Sequence, residues 1–157
     1  MRVAIGMILL RLVLFFVNAD FSLQEEMYVF LNLAAVPVIV LYAIWPRKHL
    51  VGAGFMEDFI LSLRIAALYG VIMSVFGYFY YTQVDLDFFA NKQEEIIELR
   101  LTDANAPDRA TVTDEVTSFF SVRNFALIAL LIYIFLSIFY AILFSALKRL
   151  IIRVKSA

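Results

Sequence analysis

Apolar residues are grouped into four long runs along this chain, and polar residues fill the stretches between them. A helix that crosses the hydrocarbon core of a bilayer needs roughly 20 mostly apolar residues. The first run is short and carries Arg11, and it resembles a signal peptide without a small-residue cleavage site, so we interpret it as a span. The pattern predicts an all-α membrane protein with four transmembrane helices in one domain, with spans at about 3–17, 27–45, 59–81 and 124–147 of residues 1–157.

The third run has small residues along one side. They follow one another at spacings of four, four and three residues, which places them on one face of a helix. In lipid, small residues on one face are typical of close helix packing, because burial of apolar surface cannot drive helices together there. We therefore expect another helix to pack against Ala66, Gly70, Ser74 and Gly77.

The long connection at residues 82–123 is predicted to contain an amphipathic helix between spans three and four. Its first half, LDFFANKQEEIIELRL, places apolar side chains on one helical face and glutamates on the other. Asp85 or Asp87 is available to cap this helix at its N-terminus. After a polar, turn-like segment, Thr111 or Thr113 can cap a last helix that leads into the fourth span.

Composition and charge favour a membrane location and predict an orientation. Hydrophobic residues make up 64% of the chain, and the lack of cysteine excludes disulfides, zinc thiolates and thiol catalysis. Lys and Arg cluster at both termini and in the connection that begins at Arg47, whereas residues 82–123 carry nine acidic and four basic residues. Because basic loops stay in the cytoplasm, both termini are predicted to be cytoplasmic and residues 82–123 to face outward.

Arg11 is the most informative single residue, because it lies about nine residues beyond Arg2 and so near mid-membrane in an upright span. An ionisable group at that depth usually faces the protein interior, a watery cavity or a partner. One interpretation is a contact with a lipid phosphate, another anion or another subunit. The alternative is a structural arginine that snorkels or is paired because the span is tilted or shallow. Asn18 and Asn32 are candidate polar companions.

Three further cations are candidate contacts for a lipid phosphate or a partner, namely Arg47, Lys48 and Arg64. Arg64 lies about one and a half turns inside the third span, and snorkelling to the cytoplasmic headgroups also explains it, with Glu57 two turns earlier on the same face. His49 has no companion at metal-ligand spacing, so contact with lipid headgroups is the favoured interpretation.

The sequence contains no P-loop, dinucleotide fingerprint, nucleophile elbow or metalloprotease helix. The acidic residues of the long connection lack the pattern of a calcium loop and are interpreted as a solvated helix face. The basic residues lie at the membrane edge, which argues against nucleic acid binding. We therefore expect no enzyme activity, no cofactor and no metal, and we expect membrane lipids and other membrane subunits or further copies as partners.

A family resemblance is carried by three segments, GFMEDF at 54–59, GYFYY at 77–81 and VDLDFF at 84–89, followed by a charged connection and a last span with a basic tail. These features resemble a family of small four-span inner-membrane proteins of Bacteroidota, known as domain of unknown function 4199. The resemblance covers roughly the last two thirds of the chain, and Arg11 and the lysine-poor acidic connection depart from it. It implies a multi-pass protein of the bacterial inner membrane and no known activity.

Two functions of different classes follow from these features. The first is a non-catalytic accessory or scaffolding subunit of an inner-membrane complex, which the small-residue face and the outward amphipathic helix favour. The alternative is a small carrier of lipid phosphates or lipid-linked sugars, or an accessory to an enzyme that uses them, which Arg11, Arg64 and the cytoplasmic basic cluster favour. A membrane-embedded enzyme has the least support, because no paired acids or histidine lie within the spans.

Overall fold

The computed structural model describes residues 1–17, 21–45, 54–102 and 107–156, and of residues 21–26, 155 and 156 it describes the backbone alone. These residues form six α-helices and no strand. The helices are α1 (Arg2–Val17), α2 (Phe21–Ile44), α3 (Phe55–Gln83), α4 (Phe88–Leu101), α5 (Arg109–Phe119) and α6 (Val122–Ser156).

Within the described ranges, three helices are long and apolar enough to cross a membrane, at Met27–Ile44, Phe55–Gln83 and Val122–Val154. The predicted all-α fold is therefore confirmed, and these candidate spans overlap the second, third and fourth predicted ones. Helix α1 has only 16 residues. At 1.5 Å per residue it extends roughly 24 Å, which is less than the roughly 30 Å of a typical hydrocarbon core.

Several helices run beyond the predicted membrane segments. Helix α2 begins at Phe21, so residues 21–26, which lie between the first two predicted spans, are helical. Helix α6 begins at Val122 and continues to Ser156, through the basic tail. An α-helix satisfies its own backbone hydrogen bonds in water and in lipid, so the end of an apolar run marks a change of solvent and not the end of a helix.

The connection between α3 and α6 contains two helices, and their caps agree with the prediction only in part. Asp87 occupies the N-cap of α4, but its side chain accepts no cap hydrogen bond. The N-cap of α5 is Asp108, whose carboxylate accepts hydrogen bonds from the Thr111 backbone N–H at 3.4 Å and from the Thr111 hydroxyl at 2.6 Å. The prediction that Thr111 or Thr113 caps this helix is therefore wrong, because an aspartate three residues earlier already supplies the acceptor.

The end of α5 is also distinct from the start of the last span. Phe120 follows α5 with non-helical backbone angles, φ −87° and ψ 65°. The Ser121 hydroxyl then accepts a hydrogen bond from the Asn124 backbone N–H, at the first turn of α6. A hydroxyl acceptor at this position is a typical N-cap, so a separate helix begins here.

The chain divides into two compact units, Met1–Met73 with Leu130–Ala157, and Ser74–Ala129. The first unit has a core of apolar residues that includes Val36, Val40, Ala66, Tyr69 and Ala141. The second contains the α4–α5 hairpin, where Ile97, Val112 and Val116 form a buried cluster that Ile96 and Leu101 partly cover. The single transmembrane domain predicted for residues 1–157 stays a prediction.

Candidate functional site

The small-residue face of α3 is mostly buried. Ala66, Gly70 and Ser74 are buried, and Gly77 is partly exposed. A Cβ atom added at Gly70 would lie 2.5 Å from the Cβ of Tyr133 in α6, which is too close for any real pair of side chains. The two helix backbones therefore approach each other closely at this point, and only a glycine leaves room for Tyr133.

Arg11 lies inside the first unit, with only 4% of its surface exposed. Its guanidinium carbon lies 5.1 Å from the centroid of the Tyr28 ring, a distance suited to a cation–π contact. The position agrees with the interpretation that Arg11 faces the protein interior. Its role as a contact for a lipid phosphate or a partner stays a prediction, and its candidate companion Asn18 lies outside the described residues.

Polar contacts continue from Tyr28 into the bundle. The buried Asn32 side chain donates a hydrogen bond to the Tyr28 carbonyl at 3.1 Å and accepts one from the Tyr69 hydroxyl at 2.8 Å. The Tyr69 ring meets the Tyr133 ring edge-on, with 5.8 Å between their centroids. Arg11 and Asn32 therefore both contact Tyr28, and this polar cluster joins residues of α1, α2, α3 and α6.

The other predicted contact cations lie in different surroundings or outside the described ranges. Arg64 is exposed on α3, whereas Arg11 is buried. Glu57, which the sequence places near Arg64 on one face, accepts a hydrogen bond from the Gly54 backbone N–H at 3.3 Å. Arg47 and Lys48 lie outside the described residues.

The structure reveals a buried ion pair that the sequence did not predict. The ammonium of Lys148 in α6 lies 2.7 Å from Oδ2 of Asp58 in the first turn of α3. The Asp58 side chain is fully buried and that of Lys148 is 14% exposed. The spacing carried only part of the signal. Ser62 follows Asp58 by four residues and Ser145 precedes Lys148 by three, which gives each helix a polar face near its end but does not show that the two faces meet.

Two buried oxygen atoms have no hydrogen-bond partner among the described residues. They are Oδ1 of Asp58 itself and Oγ of Ser145, which precedes Lys148 by three residues. The Ser62 hydroxyl is satisfied, since it donates to the Asp58 carbonyl at 2.8 Å. A carboxylate oxygen only accepts hydrogen bonds, whereas a serine hydroxyl donates one and accepts others. This end of the bundle therefore retains hydrogen-bonding capacity beyond the ion pair.

The α4–α5 hairpin of the second unit is held by exposed ion pairs. Arg109 at the start of α5 contacts Glu94 at 2.7 Å and Glu98 at 2.9 Å, and Arg100 contacts Glu115 at 2.7 Å. Each of these side chains is more than half exposed. Three of the glutamates predicted to form a solvated helix face are thus partners of arginines across the hairpin, whereas Glu95 pairs with Lys92 of its own helix.

A cavity of about 510 Å³ lies beside these ion pairs. Its lining includes Ile96 and Arg100 of α4, Glu115 and Phe119 of α5, and Asn124 of α6. The side-chain amide of Asn124 donates to the Ser118 carbonyl at 2.8 Å, which ties the end of α5 to the start of α6. The lining therefore combines apolar side chains with the Arg100–Glu115 ion pair and a side-chain amide.

Residues 2–149 match the model of a family described as "Protein of unknown function (DUF4199)", so the chain belongs to that family. The predicted membership of domain of unknown function 4199 is thereby confirmed. No curated protein and no solved structure matches the chain.

Proposed function

We propose that this chain is a non-catalytic integral membrane protein that serves as an accessory or scaffolding subunit of a complex in the bacterial inner membrane. The observation that carries the proposal is the α4–α5 hairpin. Three ion-pair contacts brace its two helices, and it presents a cavity of about 510 Å³ at which Phe119 is 64% exposed. A braced surface with an exposed aromatic side chain is suited to bind a partner without rearranging.

The proposal includes a four-span topology. Helices α2, α3 and α6 supply three candidate spans. We propose α1 as the fourth, because most of its residues are apolar and its arginine is buried against Tyr28 and so withdrawn from lipid. The bilayer accommodates its short length by local thinning, which costs only a fraction of a kcal/mol per Å of mismatch.

In the proposed orientation both termini are cytoplasmic, and α4 is the outward amphipathic helix. Phe89 and Ile97 of α4 are buried, whereas its glutamates are exposed, which is the distribution that an amphipathic helix requires. A reporter that is active only in the periplasm should give signal when fused at Asn105 and none at Ala157. The reverse pattern would contradict the orientation.

Two matched substitutions test the hairpin as a docking surface. Phe119 lines the cavity, and Leu99 of α4 is similarly exposed but is not one of the lining residues. We expect Phe119→Asp to remove the proteins that co-purify with a tagged chain in mild detergent, and Leu99→Asp to retain them. Equal retention by the two variants would contradict a scaffolding role for this surface.

A second candidate function is a carrier of lipid phosphates or lipid-linked sugars, or an accessory to an enzyme that uses them. The burial of Arg11 favours it, because a guanidinium is always charged and binds phosphate in a planar, two-pronged geometry. Under this function, Arg11→Leu should insert normally but lose co-purifying phospholipid or polyprenyl phosphate, and Arg11→Lys should restore it only in part. If Arg11→Leu retains the same lipids and proteins as the wild type, Arg11 is a structural residue.

A further inference from the structure

A groove of about 260 Å³ lies between the end of α2 and the last third of α6. Its walls are almost entirely apolar and include Leu41, Trp45, Phe144 and Leu147, while Lys148 carries the only charge among its described lining residues. Both helices are candidate membrane spans. The groove therefore opens onto a surface that lipid covers when these helices cross a membrane.

The Lys148 ammonium is fixed in place and is only partly satisfied. One of its three N–H donors is directed at Asp58 Oδ2, 2.7 Å away. The structure gives the ammonium no other hydrogen-bond partner among the described residues. Two donors of a charged group therefore remain for an acceptor that enters the apolar groove.

Asp58 determines where this ammonium lies. An unpaired lysine at the end of a membrane helix extends its flexible stem toward water. Here the fully buried carboxylate holds the ammonium against the α3–α6 contact, with its side chain only 14% exposed. Asp58 thus acts as a positioning residue for Lys148, which is one of the residues that line the groove.

We propose that this groove binds a membrane glycerophospholipid, with its phosphate on the Lys148 ammonium and one acyl chain along the apolar wall. Charge complementarity supports this occupant, because a single fixed cation among otherwise apolar lining residues matches one anionic phosphate followed by a hydrocarbon chain. Trp45 at the groove suits the headgroup level, where tryptophan is enriched. The proposal goes beyond the accessory role and does not depend on it.

Native mass spectrometry of the detergent-purified chain tests the proposal. The probes are dioleoyl phosphatidylglycerol and dioleoylglycerol, which have the same acyl chains and differ in the phosphate. The wild type should retain phosphatidylglycerol and release dioleoylglycerol. Lys148→Met should weaken phosphatidylglycerol retention by roughly tenfold or more, the effect of losing a charge-assisted hydrogen bond.

Two further variants separate lipid binding from loss of structure. Asp58→Asn keeps the cation and an amide oxygen that can accept a hydrogen bond from it, but removes the charge that positions it. Phosphatidylglycerol retention should therefore fall, though less than in Lys148→Met. The charge-swapped double variant Asp58→Lys/Lys148→Asp restores an ion pair, and hence the thermal stability lost in Lys148→Met, but places an anion in the groove. It should not retain phosphatidylglycerol.

Two results would overturn the proposal. The first is equal retention of the two probes by the wild type, which would indicate a purely apolar surface. The second is full retention of phosphatidylglycerol by Lys148→Met or by the charge-swapped chain. If Lys148→Met retains the lipid in full but loses a co-purifying protein, the groove is assigned to a protein partner.

Discussion

The two units of the molecule use ion pairs in opposite environments. In the first unit, Asp58 and Lys148 meet at 2.7 Å with the carboxylate fully buried. In the second, Arg109 meets Glu94 at the same distance, but both side chains are more than half exposed. The two pairs therefore contribute differently to stability although their distances are equal. Water screens the exposed pair, whereas removal of one buried partner leaves a charge without solvent or counter-ion.

The difference also separates two kinds of role. Exposed pairs join the two short helices of the α4–α5 hairpin, and one of them, Arg100–Glu115, lines a cavity. The buried pair joins the first turn of α3 to a residue 90 positions later in α6, so it links distant parts of the chain. We expect the hairpin to tolerate the loss of a charge and the first unit not to tolerate it.

The largest expected effect is that of Lys148→Met. This substitution preserves the length of the side chain but leaves Asp58 buried without its partner, which should destabilise the protein by about 3–5 kcal/mol. Thermal unfolding in detergent, followed by helical circular dichroism, measures the loss. The double variant Asp58→Asn/Lys148→Met is the control and should recover most of the stability, since it removes both charges. If Lys148→Met alone is as stable as the wild type, water must reach the Asp58 carboxylate.

A smaller effect is expected for Gly70→Leu. An added Cβ at this position would lie 2.5 Å from Tyr133 Cβ, so the two helices must separate to admit any side chain. Overpacking of this kind costs about 1–3 kcal/mol. Val71→Leu is the matched control, because the neighbouring Val71 is exposed and gains no contact. Equal unfolding temperatures of the two variants would argue against close packing at Gly70.

The positions of the candidate spans were largely predictable from the sequence, because a long apolar run indicates a helix that is long enough to cross a bilayer. Three of the four predicted spans overlap candidate spans of the structure. The close approach at Gly70 also had a sequence signal, the spacing of the small residues. The helix ends were less accurate, since Phe21–Glu26 and the basic tail are helical although they are not apolar.

The Asp58–Lys148 pair could not be predicted in the same way. Asp58 ends a connection in the sequence pattern, and Lys148 begins a basic tail, so each resembles an ordinary membrane-edge charge. Only the pairing of α3 with α6 brings them together, and a single sequence does not report which helices are neighbours. The same limit applies to Arg11. Its depth in the first apolar run indicated that it faces the interior, but the sequence did not identify the Tyr28 ring as its contact.

In the second unit, Arg109→Ala should have a much smaller effect than Lys148→Met. It removes contacts with Glu94 and Glu98, both exposed, and exposed pairs contribute about 0.2–1 kcal/mol. The destabilisation caused by Arg109→Ala should be smaller still at 1 M salt, where dissolved ions screen the attraction between exposed charges over roughly 3 Å. Unfolding of the wild type and the variant at low and high salt measures this. A salt-independent loss of several kcal/mol would show that the hairpin depends on this arginine for packing.

The smallest expected effect concerns the cap of α5 and appears only as a dependence on pH. Hydrogen bonds from the Thr111 hydroxyl and backbone N–H hold the pKa of Asp108 below its ordinary value of 3.8. The folded state thus binds this proton more weakly than the unfolded state, so the cap contributes stability above the ordinary pKa. That contribution decreases as the pH falls through the lowered pKa of the folded state.

Asp108→Asn keeps a cap acceptor but cannot titrate. The stability difference between wild type and Asp108→Asn should therefore be constant at neutral pH and should change below about pH 4. A difference that is flat throughout the acid range would show that the Thr111 contacts do not favour the charged carboxylate.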